Sequence, residues 1–313
     1  MEKINELRSK LKKYNLDGYL IPKNDEFFSE YTPFYKDDLQ YISNFSGSYG
    51  LALILKKKNF LFVDGRYTVQ ANLQSGNKFK VITLPLIKNG INLRLSNKRI
   101  GFDPKLFNEQ SINQLSKKLG INSISVNNNL VQLIKKKTNK IKKRNRFFVL
   151  NKSITGESSL EKIRKLKLYF KKNSINIMLV TSSENVAWLL NIRGNDSNFS
   201  PIPNSFLIID KKMRIFLFCD LKKIDDKFKK KLSFVSILEI NKIENFLKRI
   251  NNKSFLIDGL TCSIFYRNII KKNNKIIKDS DPIYFLKSRK NKVEINNTKK
   301  IHEYDGAALT KFL

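Results

Sequence analysis

The side chains that most often carry out chemistry are scarce in this chain. Its 313 residues include one histidine, His302, and two cysteines, Cys219 and Cys262. A Ser-His-Asp or Cys-His site would have to be built on His302, which stands in a Lys-rich stretch near the end of the sequence. No CxxC pair, HExxH motif or GxxxxGK[ST] phosphate loop occurs. Gly47-Ser-Tyr-Gly50 is too short for a dinucleotide-binding loop and reads as a hairpin turn. A zinc site of thiolate or imidazole ligands has almost nothing to be made from. A carboxylate site would need clustered acids. The close groups are Asp37-Asp38, Asp225-Asp226 and Asp279 with Asp281, each read as solvated or as capping a helix. No catalytic residue and no metal ligand is assigned within the chain.

The most suggestive internal feature is Asp64-Gly-Arg-Tyr67. It follows the apolar run Phe60-Leu-Phe-Val63, and α/β folds place binding residues at the carboxyl ends of strands. Asp64, Arg66 and Tyr67 are therefore the candidate binding residues, with Arg66 able to clamp a carboxylate. The plainer alternative is an Asp–Arg turn that caps the following helix.

Around this patch the pattern alternates. A helix over residues 2–15, with Ile4, Leu7, Leu11 and Tyr14 on one face, precedes a strand over 17–22 that Pro22 stops. An acidic, aromatic loop follows over 24–31. Residues 49–55 and 60–64 form a hairpin across a Lys-Lys-Lys-Asn turn. A helix runs to Gln74, and strands are expected over 79–84, 99–103 and 123–126, with a helix over 107–119. Near residue 150 the pattern restarts. A charged helix over 157–173 presents Leu160, Ile163, Leu166 and Phe170 on one face. A strand over 175–180, a short helix capped by Ser182 or Ser183, and paired strands over 206–210 and 213–220 come next. Phe255-Leu-Ile-Asp-Gly259 and a helical stretch over 262–272 complete the second half. Alternating helices and strands indicate an α/β fold.

The halves match in order. Phe60-Leu-Phe-Val-Asp64 recurs as Phe216-Leu-Phe-Cys-Asp220. Ile100-Gly-Phe-Asp103 recurs as Leu256-Ile-Asp258, and Tyr41-Ile-Ser-Asn44 as Trp188-Leu-Leu-Asn191. The period, about 155 residues, is far beyond a solenoid repeat and indicates a duplicated domain.

The net charge is +34. Such a charge fits nucleic acid or an anionic membrane surface. Yet Lys far outnumbers Arg, Asn and Ile are also frequent, and all three share A/T-rich codons. The lysines are spread along the chain, and the densest run, Lys135–Arg146, reads as a solvated linker. A nucleic-acid partner is not expected. No apolar run approaches the roughly 20 residues of a membrane span. Glu2 and Glu6 stand where a secretory leader is positive. Two isolated thiols in apolar surroundings read as core residues in a reducing cytoplasm.

The last stretch, Ile301 to Leu313, places Ile301, Tyr304, Ala308 and Phe312 at helical spacing with no Gly, Asn or Pro stop. This stripe reads as part of a core that lies beyond the sequence. Lys287–Leu313 is expected to be poorly packed or mobile.

Several segments together resemble the Xaa-Pro aminopeptidase (aminopeptidase P) family. They are Asp17-Gly-Tyr-Leu-Ile-Pro22, Ser29-Glu-Tyr31, Tyr41–Gly50, Asp64-Gly-Arg-Tyr67 with Gln70-Ala71, Ile100-Gly-Phe-Asp-Pro104, and the tail from Lys287 through Glu294 and His302 to Leu309. The resemblance covers nearly the whole chain. It implies two tandem, related creatinase N-terminal-type domains, each a mixed sheet flanked by helices, over residues 1–150 and 151–284. Residues 285–313 would then be the first helix of a truncated catalytic "pita-bread" domain. It also implies a metallopeptidase that acts on peptides with proline at the second position. Such an enzyme would use two Mn or Zn ions held by two Asp, one His and two Glu of the catalytic domain. None of those ligands can be assigned here, and His302 matches a helix residue of the tail motif. The chain by itself would bind no cofactor, would cap the cleft and would support a homodimer. The alternative reading is a standalone non-catalytic interaction or dimerisation module.

Overall fold

Ile4, Leu7 and Leu11 recur at helical spacing, and all three are buried on one face of α1 (Glu2–Lys13). Each contributes about 1.5–3 kcal/mol by leaving water. Asn15, at φ 50°, turns the chain into β1 (Gly18–Pro22). The computed structural model describes residues 2–84, 95–135, 145–197 and 199–313. Most of the basic run Lys135–Arg146 lies outside them. The chain divides into two compact units, Met1–Lys142 with Gly259–Asn268, and Lys143–Asp258 with Ile269–Leu313.

In the first unit β1 is followed by α2 (Asp38–Ser43), β2 (Gly50–Leu55), β3 (Asn59–Val63), α3 (Thr68–Ser75), β4 (Lys80–Thr83), β5 (Arg99–Phe102), α4 (Glu109–Leu119) and β6 (Asn122–Ser125). The sheet order is β4-β3-β2-β1-β5-β6. β2 runs antiparallel to both β1 and β3, while β4 joins β3, and β5 joins β1 and β6, in parallel. Alternate residues serve opposite faces. Tyr19, Ile21, Ala52, Ile54, Leu61 and Val63 pack with α1 and α2. Leu20, Leu51, Leu53, Phe60 and Phe62 pack with Ile112 of α4. Burial on both faces explains why these strands read as near-continuous apolar runs.

The second unit opens with β7 (Phe148–Val149), α5 (Lys152–Thr155), α6 (Ser159–Lys172), β8 (Ile177–Val180), α7 (Ser183–Leu189) and β9 (Ile192–Arg193). Next come β10 (Phe206–Asp210), β11 (Ile215–Cys219), α8 (Asp226–Lys231), β12 (Val235–Glu239), α9 (Ile243–Lys248) and β13 (Ser254–Ile257). After α10 (Ile264–Asn273), whose residues up to Asn268 belong to the first unit, it closes with β14 (Lys275–Lys278), α11 (Pro282–Ser288) and α12 (Lys292–Phe312). Its sheet order is β12-β11-β10-β8-β13-β14. Every pairing repeats the sense of the first sheet, antiparallel for β8/β10 and β10/β11 and parallel for the rest. The duplication read from the sequence is thus a repeat of topology. Phe60–Asp64 and Phe216–Asp220 occupy the third strand of the meander, and Ile100–Asp103 and Leu256–Asp258 the parallel strand on the other side of β1 or β8.

Three local expectations need correction. Leu160 is 46% exposed, and Lys162 is buried in its place. The inward face of α6 runs through Ser159, Lys162, Ile163, Leu166 and Phe170. Asp38 is buried rather than solvated, bonded by Asn129 Nδ2 at 2.9 Å and by Gln132. Gly47–Gly50 is not a tight hairpin turn, because the connection from β1 to its partner β2 also carries α2. It delivers the chain into β2, and Gly47 is required because the Phe45 ring closes over it. The capping reading holds for Asp37, Asp225 and Asp281, whose carboxylates accept from Gln40, Phe228 and Ile283 N–H groups.

Candidate functional site

The carboxyl end of β3 is closed by Asp64. Its Oδ1 accepts from Arg66 N at 2.9 Å and from Arg66 Nε at 2.8 Å, which caps the short 3₁₀ turn Gly65–Tyr67. Arg66 beside it holds the Asp64 carboxyl below the usual range. The guanidinium also lies 5.4 Å from the centre of the Tyr67 ring. Tyr67 Oη shares a 2.8 Å hydrogen bond with Ser48 Oγ, and its ring meets Phe45 edge-on. The three candidate binding residues are therefore neighbours, with Asp64 and Arg66 bonded to each other and Tyr67 bonded to Ser48. Asp220 of the second unit makes the same turn, accepting from Lys222 N at 3.0 Å.

Asp64 is also one wall of a cleft of about 720 Å³ in the first unit. Leu51, Leu106 and Phe107 supply apolar lining, and Lys23, Glu30 and Lys118 supply charge. The acidic, aromatic loop over 24–31 borders it and is held from within. Asp25 is 1% exposed, and its Oδ1 accepts from Phe27 N at 3.0 Å and Ser29 N at 3.2 Å. Its Oδ2 has no partner among the described residues, and burial pushes the carboxyl up. Asn24 Nδ2 donates to the Leu106 carbonyl at 3.0 Å. Lys23 pairs with Asp37 and Lys36 with Glu26. The loop and the strand ends thus wall a cleft whose loop is held by internal hydrogen bonds and ion pairs, and of the three candidate residues Asp64 lines it. The residue types in the loop drew attention to it in the sequence, but its bonding pattern left no signal there.

The set required for a two-metal site is absent from the described residues. No group of three or more His, Cys, Asp or Glu side chains comes close enough to hold a metal ion. His302 sits on the exposed part of α12. Cys219 and Cys262 are buried and form no disulfide. The residues present do not fit a dinuclear centre.

Comparison with known proteins gives this arrangement a family. Residues 3–133 and, separately, 138–294 match the creatinase/prolidase N-terminal domain. Xaa-Pro aminopeptidase 1 of Dictyostelium discoideum is 30% identical over 100% of this chain and 52% of its own length. A probable Xaa-Pro aminopeptidase P of Laccaria bicolor is 29% identical over 99% of this chain and 50% of its own. The chain spans about half the length of the curated relatives it matches. Among solved structures, an X-prolyl aminopeptidase from Caenorhabditis elegans, described as a cytosolic enzyme with a di-nuclear active site, superposes with a TM-score of 0.88. It is 26% identical and is matched over 99% of this chain and 55% of its own. With its repeated six-stranded sheets and two consecutive matches, the chain belongs to the creatinase/prolidase N-terminal domain family, which it carries in tandem.

Proposed function

We propose that this chain is the non-catalytic, two-domain N-terminal portion of a cytosolic Xaa-Pro aminopeptidase. Such an enzyme releases the residue that precedes proline at the second position of a peptide. The observation that carries the reading is full-length agreement with the Caenorhabditis elegans enzyme at a TM-score of 0.88, over about half of that enzyme. The exposed stripe of α12 is consistent with it. Ile301, Tyr304, Leu309 and Phe312 are 62%, 61%, 58% and 85% exposed, a pattern that fits a helix packed against further protein. Two Mn or Zn ions would be held outside these residues. The two domains would restrict the cleft to short peptides and contribute to a homodimer. No helix among the described residues is long and apolar enough to cross a membrane.

The chain alone, supplied with Mn²⁺ and an Xaa-Pro tripeptide, should release no amino acid. Turnover above the protein-free control would overturn the non-catalytic assignment. Replacing the first half of the Caenorhabditis elegans enzyme with this chain should give Mn²⁺-dependent release. A folded but inactive fusion, beside an active parent, would count against the aminopeptidase reading. Light scattering of the active fusion tests the dimer.

A further inference from the structure

Lys162 is 1% exposed and makes no ion pair among the described residues. Its Nζ donates to the Trp188 carbonyl oxygen at 2.9 Å and to Asn191 Oδ1 at 2.6 Å, and lies 4.1 Å from the centre of the Trp188 ring. Burial lowers its pKa to about 8, so holding a charge here opposes folding. An apolar side chain of similar size would fill the space without that cost. The contacts made by the ammonium group therefore call for a purpose beyond packing.

The indole that Lys162 touches leads directly to α12. Trp188 Nε1 donates to Glu294 Oε1 at 3.2 Å. Glu294 is one half of a reciprocal cap. Its Oε2 accepts from Asn291 N at 2.9 Å, and Asn291 Oδ1 accepts from Glu294 N at 2.9 Å. Asn291 Nδ2 donates to the Thr155 carbonyl at 2.9 Å, and Asn297 Nδ2 to the Ile154 carbonyl at 3.0 Å. Gly156 makes room for this. Its φ is +73°, and a Cβ there would collide with the Asn291 side chain. Beyond this point α12 is a bare rod. It has 21 residues and none is buried. A helix of that length is ~30 Å long, so a tilt of ~10° at its base moves its tip by ~5 Å.

We propose that Lys162, Trp188 and Glu294 form an aligning joint that fixes the direction in which α12 leaves the second unit. Lys162 is the positioning residue and acts through the indole. Its ammonium group clamps the end of α7 and one face of the Trp188 ring, and the N–H edge of the same ring holds the capping carboxylate of α12. Whatever covers the exposed stripe of α12 is then presented at a set angle. The joint does not depend on the aminopeptidase reading, because every part of it lies in this chain.

The test uses the full chain. Leu168→Cys on α6 and Leu309→Cys on α12 place spin labels at two exposed sites, while Cys219 and Cys262 stay buried and unlabelled. The parent should give one narrow distance distribution. Trp188→Phe keeps an aromatic ring but deletes the N–H, and should at least double the width of the distribution. Exchange of the Glu294 and Ile295 amides should accelerate about tenfold, the effect of losing one good hydrogen bond, while α6 amides stay as in the parent. Lys162→Met should do the same. If that variant does not fold, Trp188→Phe and Glu294→Gln carry the test. Distances and exchange like the parent's in Trp188→Phe and Glu294→Gln would overturn the proposal. So would an effect confined to Lys162→Met, which would mean that the lysine does not act through the indole.

Discussion

Asn44 and Asn191 stand at equivalent turns of the two units, just past α2 and α7, each with a left-handed backbone at φ 63° and 53°. Asn is among the few side-chain-bearing residues that adopt this conformation readily. The two differ in burial. Asn44 is exposed, whereas Asn191 is 3% exposed, with Nδ2 donating to the Glu157 carbonyl at 2.8 Å and Oδ1 accepting from Lys162. In the first unit the residue makes only the turn, and in the second it also bonds a buried lysine.

That difference sets a pair of expectations. Asn44→Gly should leave stability within about 0.5 kcal/mol of the parent, and Asn44→Ala should cost about 1 kcal/mol through strain. Asn191→Gly should cost about 1–3 kcal/mol, because the half-buried Glu157 carbonyl loses its donor and the buried Lys162 ammonium loses one of its two oxygen acceptors. Urea denaturation of the three variants checks the ranking. Equal losses for the two glycine variants would contradict it.

The duplication was legible because it is written in apolar runs. Phe60–Val63 and Phe216–Cys219 are third strands, buried at every one of these residues but Phe216. Edge strands carry no such mark. Lys275–Lys278, with only Ile276 and Ile277 between its lysines, forms β14 at the rim of its sheet, where one side stays open to solvent. The face of α6 was misread for a related reason. Apolar spacing admits Leu160 and excludes Lys162, whereas the Trp188 carbonyl and Asn191, brought in by the fold, make the lysine the buried partner. In the cleft, the acids of residues 24–31 were visible as types. That Asp25 turns inward to hold its own loop depends on backbone geometry no spacing records.

The thiols should be silent in the folded protein. Cys219 is fully buried, and burial pushes its pKa up to about 12; Cys262 is 2% exposed. A thiolate is the reacting species, so neither should react with an aromatic disulfide reagent at pH 8 on a timescale of minutes. Both should react at once in denaturant. Rapid native labelling of either would show that its surroundings open more readily than its burial implies.

Close packing makes Gly18 intolerant of even one methyl group. A Cβ at this position of β1 would lie 2.6 Å from Leu55 Cδ2 and 2.8 Å from the Ile54 carbonyl oxygen. The oxygen belongs to the antiparallel ladder and cannot move aside. Gly18→Ala should therefore cost about 1–3 kcal/mol. Gly259 has nothing within 4 Å of the corresponding point, so Gly259→Ala should be close to neutral. Thermal melts of the two proteins give the comparison, and similar midpoints would contradict the geometry.

Asp281 gives a pH dependence with a definite sign. It is 4% exposed, caps α11 through Ile283 N at 2.8 Å and accepts from Asn185 Nδ2 at 2.6 Å, while Asn185 Oδ1 has no partner among the described residues. Burial raises its pKa from 3.8 to about 6, and Asp103 is raised to about 6 for the same reason. A carboxyl raised in the folded state binds protons that the unfolded chain has already released. Its contribution to stability is fully present below about pH 4 and is lost as pH rises through about 6. At neutral pH each such group opposes folding by up to about 3 kcal/mol. Asp281→Asn removes the charge and keeps a carbonyl for Ile283 N–H. If the Asn185 amide turns over, its oxygen meets the new N–H₂ group. The variant should be at least as stable as the parent at pH 7.5, and its stability should change less between pH 4.5 and 6.5, with Asp103 and the other buried carboxyls raised by burial, Asp25 and Asp38, supplying the remaining slope. Urea denaturation at several pH values checks both. A variant more than about 1 kcal/mol weaker at pH 7.5, with an unchanged slope, would show that Asp281 is held there for its charge.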